Sequence, residues 1–217
     1  EELKKINPAI VYGAVSGFGQ YGPYSSRAGY DIVGQAMSGL MSTTGWPDTP
    51  PTRSGTAISD VSAGLSCCIG VLAAYINRLK TGEGEKVDIS LVDTMVSSLE
   101  IINMIYLCTG RVPDRIGNRY EAIYPYDSFQ AKYGMVVIAC GNNKLYELLK
   151  GIIGDSRLAA PEFSDNLLRV EHHKKLKAIL EEWTVLHGIH DIVDRLLTAG
   201  IPSAPIYSID QVVKDPH

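Results

Sequence analysis

The chain has 217 residues, with 24 Asp and Glu against 20 Lys and Arg, a formal net charge of −4, 45% apolar residues and 20% charged ones. That length builds one large domain or two small ones, and the composition is that of an ordinary globular protein. The acidic balance excludes the basic footprint that nucleic acid or an anionic membrane surface demands.

Four cysteines, Cys67, Cys68, Cys108 and Cys140, show no C-x-x-C spacing. They read as reduced core cysteines of a cytoplasmic compartment, or of the mitochondrial matrix in a eukaryote, rather than as disulfides or metal ligands. The chain starts inside a helix end at residues 1–6 and stops in a loop, Asp215-Pro216-His217, so a fragment of a longer protein is expected.

Residues 9–15 form a short apolar run between Pro8 and Gly17, the signature of a buried parallel strand. It runs into Ser16-Gly17-Phe18-Gly19-Gln20-Tyr21-Gly22-Pro23, a Gly-rich loop at the place where open α/β sheets bind ligands. The loop lacks the full dinucleotide or phosphate-loop pattern, so taken alone it is a tight turn. Residues 30–41 predict a helix whose apolar face is Ile32, Val33, Ala36, Met37 and Leu40.

After a Pro-rich loop comes Arg53-Ser54-Gly55-Thr56-Ala57-Ile58-Ser59-Asp60 and an apolar run over residues 61–76. That run is too short for a membrane span and reads as a buried core helix, stopped at Gly82. Asp60 thus stands at a helix mouth, where a carboxylate either caps the helix or serves as a nucleophile kept ionised by the helix N-terminus.

Residues 87–91 alternate like a strand and 93–107 return to helical spacing. The order strand, helix, helix, strand, helix predicts an α/β fold, doubly wound or similar. A polar, turn-rich stretch at 111–119 marks a domain boundary. Beyond it, 127–130 and 135–140 predict a hairpin around Lys132-Tyr133-Gly134. Helices are expected at 144–153, 167–186 and 189–199, a short strand at 203–207 and a last helix or linker at 209–213. His187 and His190 lie on one helix face, but without a third ligand they read as surface histidines. His172-His173 belongs to a charged, solvated face.

Several motifs carry a resemblance in fixed order. They are Asn7-Pro8-Ala9-Ile10-Val11-Tyr12, the Gly17 loop through Tyr24, Arg27-Ala28-Gly29-Tyr30-Asp31, Gln35-Ala36-Met37-Ser38-Gly39-Leu40-Met41, Pro50-Pro51-Thr52-Arg53, the Gly55 to Asp60 segment and Lys80-Thr81-Gly82-Glu83-Gly84. Together they resemble the class III CoA-transferases, the CaiB/BaiF family, strongly over about the first 108 residues and in outline beyond. The resemblance implies a partial Rossmann-like large domain over residues 1–110, a small α+β domain over 111–205, and a linker over 206–217 returning to the large domain. It implies transfer of CoA between carboxylic acids, with Asp60 as nucleophile passing through an anhydride and an aspartyl-CoA thioester.

Gly17, Arg27, Ala28, Gly29 and Tyr30 match segments that line the CoA site in family members, and Asp31, grouped with them as substrate- or CoA-binding, matches an acidic position beside the nucleophile. Acyl-CoA and a small carboxylic acid are then the substrates, with no permanently bound cofactor and no metal. An interlocked homodimer is implied, with neither nucleic acid nor membrane as partner. Tyr30 stands where the related racemases carry a histidine base, which favours transfer over α-proton abstraction. The rival readings are a racemase- or dehydratase-like acyl-CoA enzyme on the same scaffold and a non-catalytic CoA-binding module. The stretch 117–127 lacks the glycine run of formyl-CoA transferase, which argues against oxalate and formate as the substrate pair. In family members the segment that supplies most adenine and pyrophosphate contacts precedes the part matched here, so this chain alone is expected to be inactive.

Overall fold

The computed structural model describes residues 2–217, which form two compact units dividing between Gly117 and Asn118. In the first, helix α1 (Glu2–Ile6) leads to strand β1 (Tyr12–Ser16). Helices α2 (Asp31–Met37), α3 (Leu40–Thr43) and α4 (Ile58–Thr81) follow, then strand β2 (Lys86–Ser90) and helices α5 (Leu91–Ser98) and α6 (Glu100–Thr109). The two strands pair in parallel, Tyr12 opposite Lys86 and Ser16 opposite Ser90. Parallel neighbours need a crossover, and α4 is the helix that packs against both. The expected mixed α/β architecture is present.

Small residues let α4 lie close on the strands. A Cβ on Gly13 would stand 2.9 Å from Cys67 Sγ, and one on Gly70 would stand 2.6 Å from Val87 Cγ1. Only this inner side is covered: Ser59, Ala63 and Ala74 are the buried residues of α4. Val61, Leu65, Ile69, Leu72, Ile76 and Leu79 form an exposed stripe. The expectation of a buried core helix therefore fails on one face. By length and composition alone this helix is also long enough and apolar enough to cross a membrane. Strand β1 is likewise less buried than its apolar run suggested, with Tyr12 and Val15 exposed. Of the cysteines only Cys140 is in a core; Cys68 and Cys108 are exposed.

Three predicted helices are shorter or broken. Residues 30–41 divide into α2 and α3 around Gly39, whose φ of +93° suits glycine. The spacing through 93–107 hides a 76° bend between α5 and α6. There the Ser97 and Ser98 hydroxyls donate back to the Asp93 and Thr94 carbonyls, and Asn103 Nδ2 donates to the Val96 carbonyl. Side chains that bond to backbone in this way compete with the helical ladder.

In the second unit, β3 (Tyr126–Ala131) and β4 (Gly134–Ala139) make the expected antiparallel hairpin, and β5 (Ser203–Pro205) adds to β4. Helices α7 (Asn143–Ile153), α8 (Asn166–Glu171), α9 (His173–Thr184), α10 (Ile189–Thr198) and α11 (Ile209–Lys214) complete it. The stretch expected as one helix over 167–186 breaks at His172 into α8 and α9. Phe129, Val136, Ile138, Leu149, Leu176, Leu180, Ile192 and Leu196 are fully buried in one core.

Candidate active site

The site is built where α2 crosses the first turn of α4. A Cβ on Gly34 would lie 2.8 Å from Ser59 Oγ, so only glycine lets the two backbones come this close. The approach brings the Asp31 carboxylate to the start of α4. Its Oδ1 accepts from the Ser59 N–H at 3.0 Å and from Ser59 Oγ at 2.8 Å. Gln35 Nε2 donates to Asp31 Oδ2 at 2.7 Å, and Arg53 Nη1 stands 3.7 Å from the same oxygen. Burial raises the Asp31 pKa, but hydrogen bonds from the Ser59 side chain and backbone and from Gln35, with the Arg53 cation, outweigh it and hold the carboxyl below its ordinary value.

Of the two readings that sequence left open at Asp60, the structure assigns the capping to another residue. The N-cap of α4 is Ala57, which makes no side-chain cap hydrogen bond, and Asp60 is the third residue of the helix. The orphan N–H of Ser59 is satisfied by Asp31, a carboxylate from another helix. Asp60 is exposed, and among the described residues its side chain has no hydrogen-bond or ion-pair partner. The carboxylate that caps α4 is Asp31, not Asp60.

The other predicted residues fall into four groups. Tyr30 is 81% exposed and precedes Asp31 as the N-cap of α2. Tyr30 and Asp60 therefore each stand one residue along the chain from the Asp31–Ser59 hydrogen bond, with both side chains open to solvent. Gly17 and Gly29 meet backbone to backbone, since a Cβ on Gly17 would lie 2.7 Å from Gly29 Cα. The Gly17 carbonyl accepts from the Val92 N–H and Ser90 Oγ, which fixes the loop to the β2–α5 junction. Arg27 and Ala28 are exposed, and the Arg27 guanidinium lies over the Tyr24 ring, 3.6 Å from its centroid. Asp31, placed by sequence among the ligand-lining residues, is 8% exposed and turned to Ser59 and Gln35.

Sequence reasoning gave no role to Gly34, Gln35 or Ser59. The signal was present as Asp31, Gly34, Gln35 and Ser38, which recur at helical spacing and are all buried. The predicted apolar face is the outer one instead, with Ile32 53% and Met37 49% exposed. Among the described residues no group of three or more His, Cys, Asp or Glu could hold a metal ion. His187 stacks on Trp183 at 4.6 Å between ring centroids, and His173 is half-buried against Tyr124 rather than on a solvated face.

The first of the two α/β units thus presents a carboxylate with no side-chain partner among the described residues in the first turn of its crossover helix. The whole chain, residues 1–217, matches the family model for CoA-transferase family III, and the chain belongs to that family. It is 39% identical over 219 residues to the acetyl-CoA:oxalate CoA-transferase of Acetobacter aceti, matching 100% of this chain and 56% of that protein. To the succinate–glutarate CoA-transferase of Agrobacterium fabrum it is 36% identical over 218 residues, 100% of this chain and 54% of that protein. A crystal structure of a CaiB/BaiF family protein from Brucella suis superimposes with a TM-score of 0.82 at 39% identity, covering 99% of this chain and 57% of that one. The chain thus spans about half the length of the curated relatives it matches.

Proposed function

We propose that the full-length protein containing this chain transfers coenzyme A between carboxylic acids, with Asp60 as the nucleophile. One observation carries the reading: Asp60 sits in the first turn of α4 with no partner, because Asp31 has taken over the capping. An Asp60 oxygen attacks the thioester carbonyl of the donor, the C–S bond breaks, and CoA thiolate leaves a mixed anhydride. The thiolate then attacks the Asp60 carbonyl and releases the donor's carboxylate, giving an aspartyl-CoA thioester. The acceptor carboxylate runs the same two steps in reverse and frees Asp60. All acids stay ionised, so no net proton moves and no general base is required.

The Tyr30 hydroxyl, exposed one residue from the Asp31–Ser59 hydrogen bond, is the proposed donor to the thioester oxygen or to a substrate carboxylate. Arg27, Ala28, Gly29 and Gly17 are proposed to border the CoA. Relatives are named for oxalate, glutarate, mesaconate and citramalate. Their shared chemistry, two carboxylates on a short carbon chain, is the proposed acceptor class. A homodimer, implied by the family resemblance, and a cytoplasmic setting, suggested by cysteines without disulfide or metal spacing, belong to the same proposal.

The test is covalent trapping on the full-length protein. Incubation with succinyl-CoA followed by hydroxylamine should leave a modification at Asp60 by mass spectrometry, and Asp60→Asn should abolish both label and transfer. Transfer that survives Asp60→Ala overturns the reading. Exchange of an α-proton into deuterated water without transfer would assign a racemase instead.

A further inference from the structure

The network that ties α2 to α4 contains one member with no acid, base or nucleophile of its own. Gln35 is completely buried, and its amide spends all its contacts on other groups. Nε2 donates to Asp31 Oδ2 at 2.7 Å and to the Thr56 carbonyl at 3.3 Å, while Oε1 accepts from the Ser54 N–H at 2.9 Å. The amide fits in one sense only, because turned over it would set its oxygen against two acceptors and its NH2 against a donor. One side chain thereby joins the carboxylate that caps α4 to the loop that delivers α4.

Burying an amide is costly unless every bond is made, and α2 turns Ile32 and Met37 to solvent while it buries Asp31 and Gln35. An aliphatic residue at position 35 would give α2 an apolar contact, but it would leave the Ser54 N–H and the Thr56 carbonyl without this partner. Asp60 itself is held by no side chain, so its position is set entirely by the backbone of the first turn of α4. That backbone is fixed on one side by Asp31 and on the other by the 54–56 loop. Gln35 holds both.

We propose that Gln35 is a positioning residue for the Asp60 nucleophile, locking the 54–56 loop and the Asp31 cap into one rigid support for the first turn of α4. The inference rests on the reading of Asp60 given above. Displacements of about 1 Å at a reacting group can lower a rate by about 100-fold, so the effect belongs in the chemical step rather than in substrate binding.

The experiment uses the full-length protein with succinyl-CoA as donor and glutarate as acceptor. Gln35→Leu should slow formation of the Asp60 adduct in a single turnover by about 30-fold and change KM for succinyl-CoA by no more than about threefold. Gln35→Glu separates positioning from mere filling of space. Its protonated acid keeps an acceptor for the Ser54 N–H and one donor for Asp31, giving up the amide's second donation to the Thr56 carbonyl, while its anion faces the Asp31 carboxylate and has no donor. The charged groups around it are Asp31 on α2 and Arg53 on the loop. Ser59, which bonds Asp31 from α4, and Leu91, the α5 residue against Gly34, carry no charge.

The rate of Gln35→Glu relative to wild type should therefore fall as pH rises from about 5 to about 8, while the relative rate of Gln35→Leu stays flat. A folded Gln35→Leu with wild-type adduct formation overturns the proposal, and so does a flat pH profile for Gln35→Glu. If Gln35→Leu fails to fold, the Gln35→Glu profile alone decides. Loss of transfer in Asp60→Asn together with normal Gln35 variants sinks this inference only; survival of transfer in Asp60→Asn sinks the nucleophile reading first.

Discussion

Asp31 and Asp60 are two carboxylates at one helix start, and their surroundings give them opposite tasks. Asp31 is buried and hydrogen-bonded, with its pKa held down, whereas Asp60 is open and unpartnered. A depressed folded pKa means that Asp31 adds stability above its unfolded pKa of about 4, and that this stability is lost as pH falls through the folded value. Asp31→Asn keeps one acceptor for the Ser59 N–H but sets an NH2 against the Gln35 amide. It should lower stability by about 1–3 kcal/mol near neutral pH, and thermal unfolding should show the gap to wild type closing on acidification. Asp60→Asn, which breaks no bond among the described residues, should leave the melting temperature within about 1 °C of wild type. A large loss in that variant would mean that Asp60 is a structural cap after all.

At the scale of elements, the crossing of α2 over α4 depends on a missing side chain. Gly34→Ala gains about 1 kcal/mol of helix propensity in α2. The new methyl would meet Ser59 Oγ at 2.8 Å and Ser59 Cβ at 3.0 Å, and overpacking of this kind costs about 1–3 kcal/mol. Urea unfolding should therefore show a net loss, accompanied by slower adduct formation, because Asp31 is pushed away from Ser59. A net gain in stability would show that the crossing has slack.

The same crossing marks where sequence ran out. The β1–α4–β2 order, the Gly82 stop and the β3–β4 hairpin were legible because apolar period and turn residues act locally. The helix at 30–41 misled because its buried side is the polar one: Asp31, Gln35 and Ser38 face inward to make hydrogen bonds that no hydrophobic pattern encodes. The breaks at Gly39, Leu99 and His172 were hidden for a related reason, since apolar spacing continues across each of them. The motif points to Asp60 as the candidate nucleophile but gives Gln35 no role, because its partners Ser54 and Thr56 lie 19 and 21 residues away.

At the scale of the whole molecule, the two units differ in how completely they close their own cores. The continuous hydrophobic cluster of buried side chains runs from Tyr124 to Ile201 and lies within the second unit. Against it lies Arg169, 0% exposed. It donates to the Tyr124 and Phe163 carbonyls and to Asn143 Oδ1, with its guanidinium 4.4 Å from the Tyr146 ring centroid. Burial lowers the Arg169 pKa from its usual value, yet an arginine keeps its charge at any physiological pH. The charge is held by carbonyl dipoles and a π-face, with no carboxylate among these contacts. Arg169→Lys cannot reach three diverging acceptors and should destabilise the second unit by about 2–4 kcal/mol, read by chemical denaturation.

The first unit presents the stripe from Val61 to Leu79 on α4 instead, spaced 4, 4, 3, 4 and 3 residues apart. Exposed apolar surface in one continuous strip binds apolar dyes and drives association. The 217-residue chain on its own should bind anilinonaphthalene sulfonate and sediment above monomer mass, and Leu65→Lys with Ile69→Glu should reduce both. Residues 118–217 produced separately should give a cooperative melt with little dye binding, since all members of their core are their own. If that segment binds dye as strongly as the whole chain, or if the paired α4 substitutions change neither dye binding nor mass, the assignment of the exposed surface to α4 is wrong.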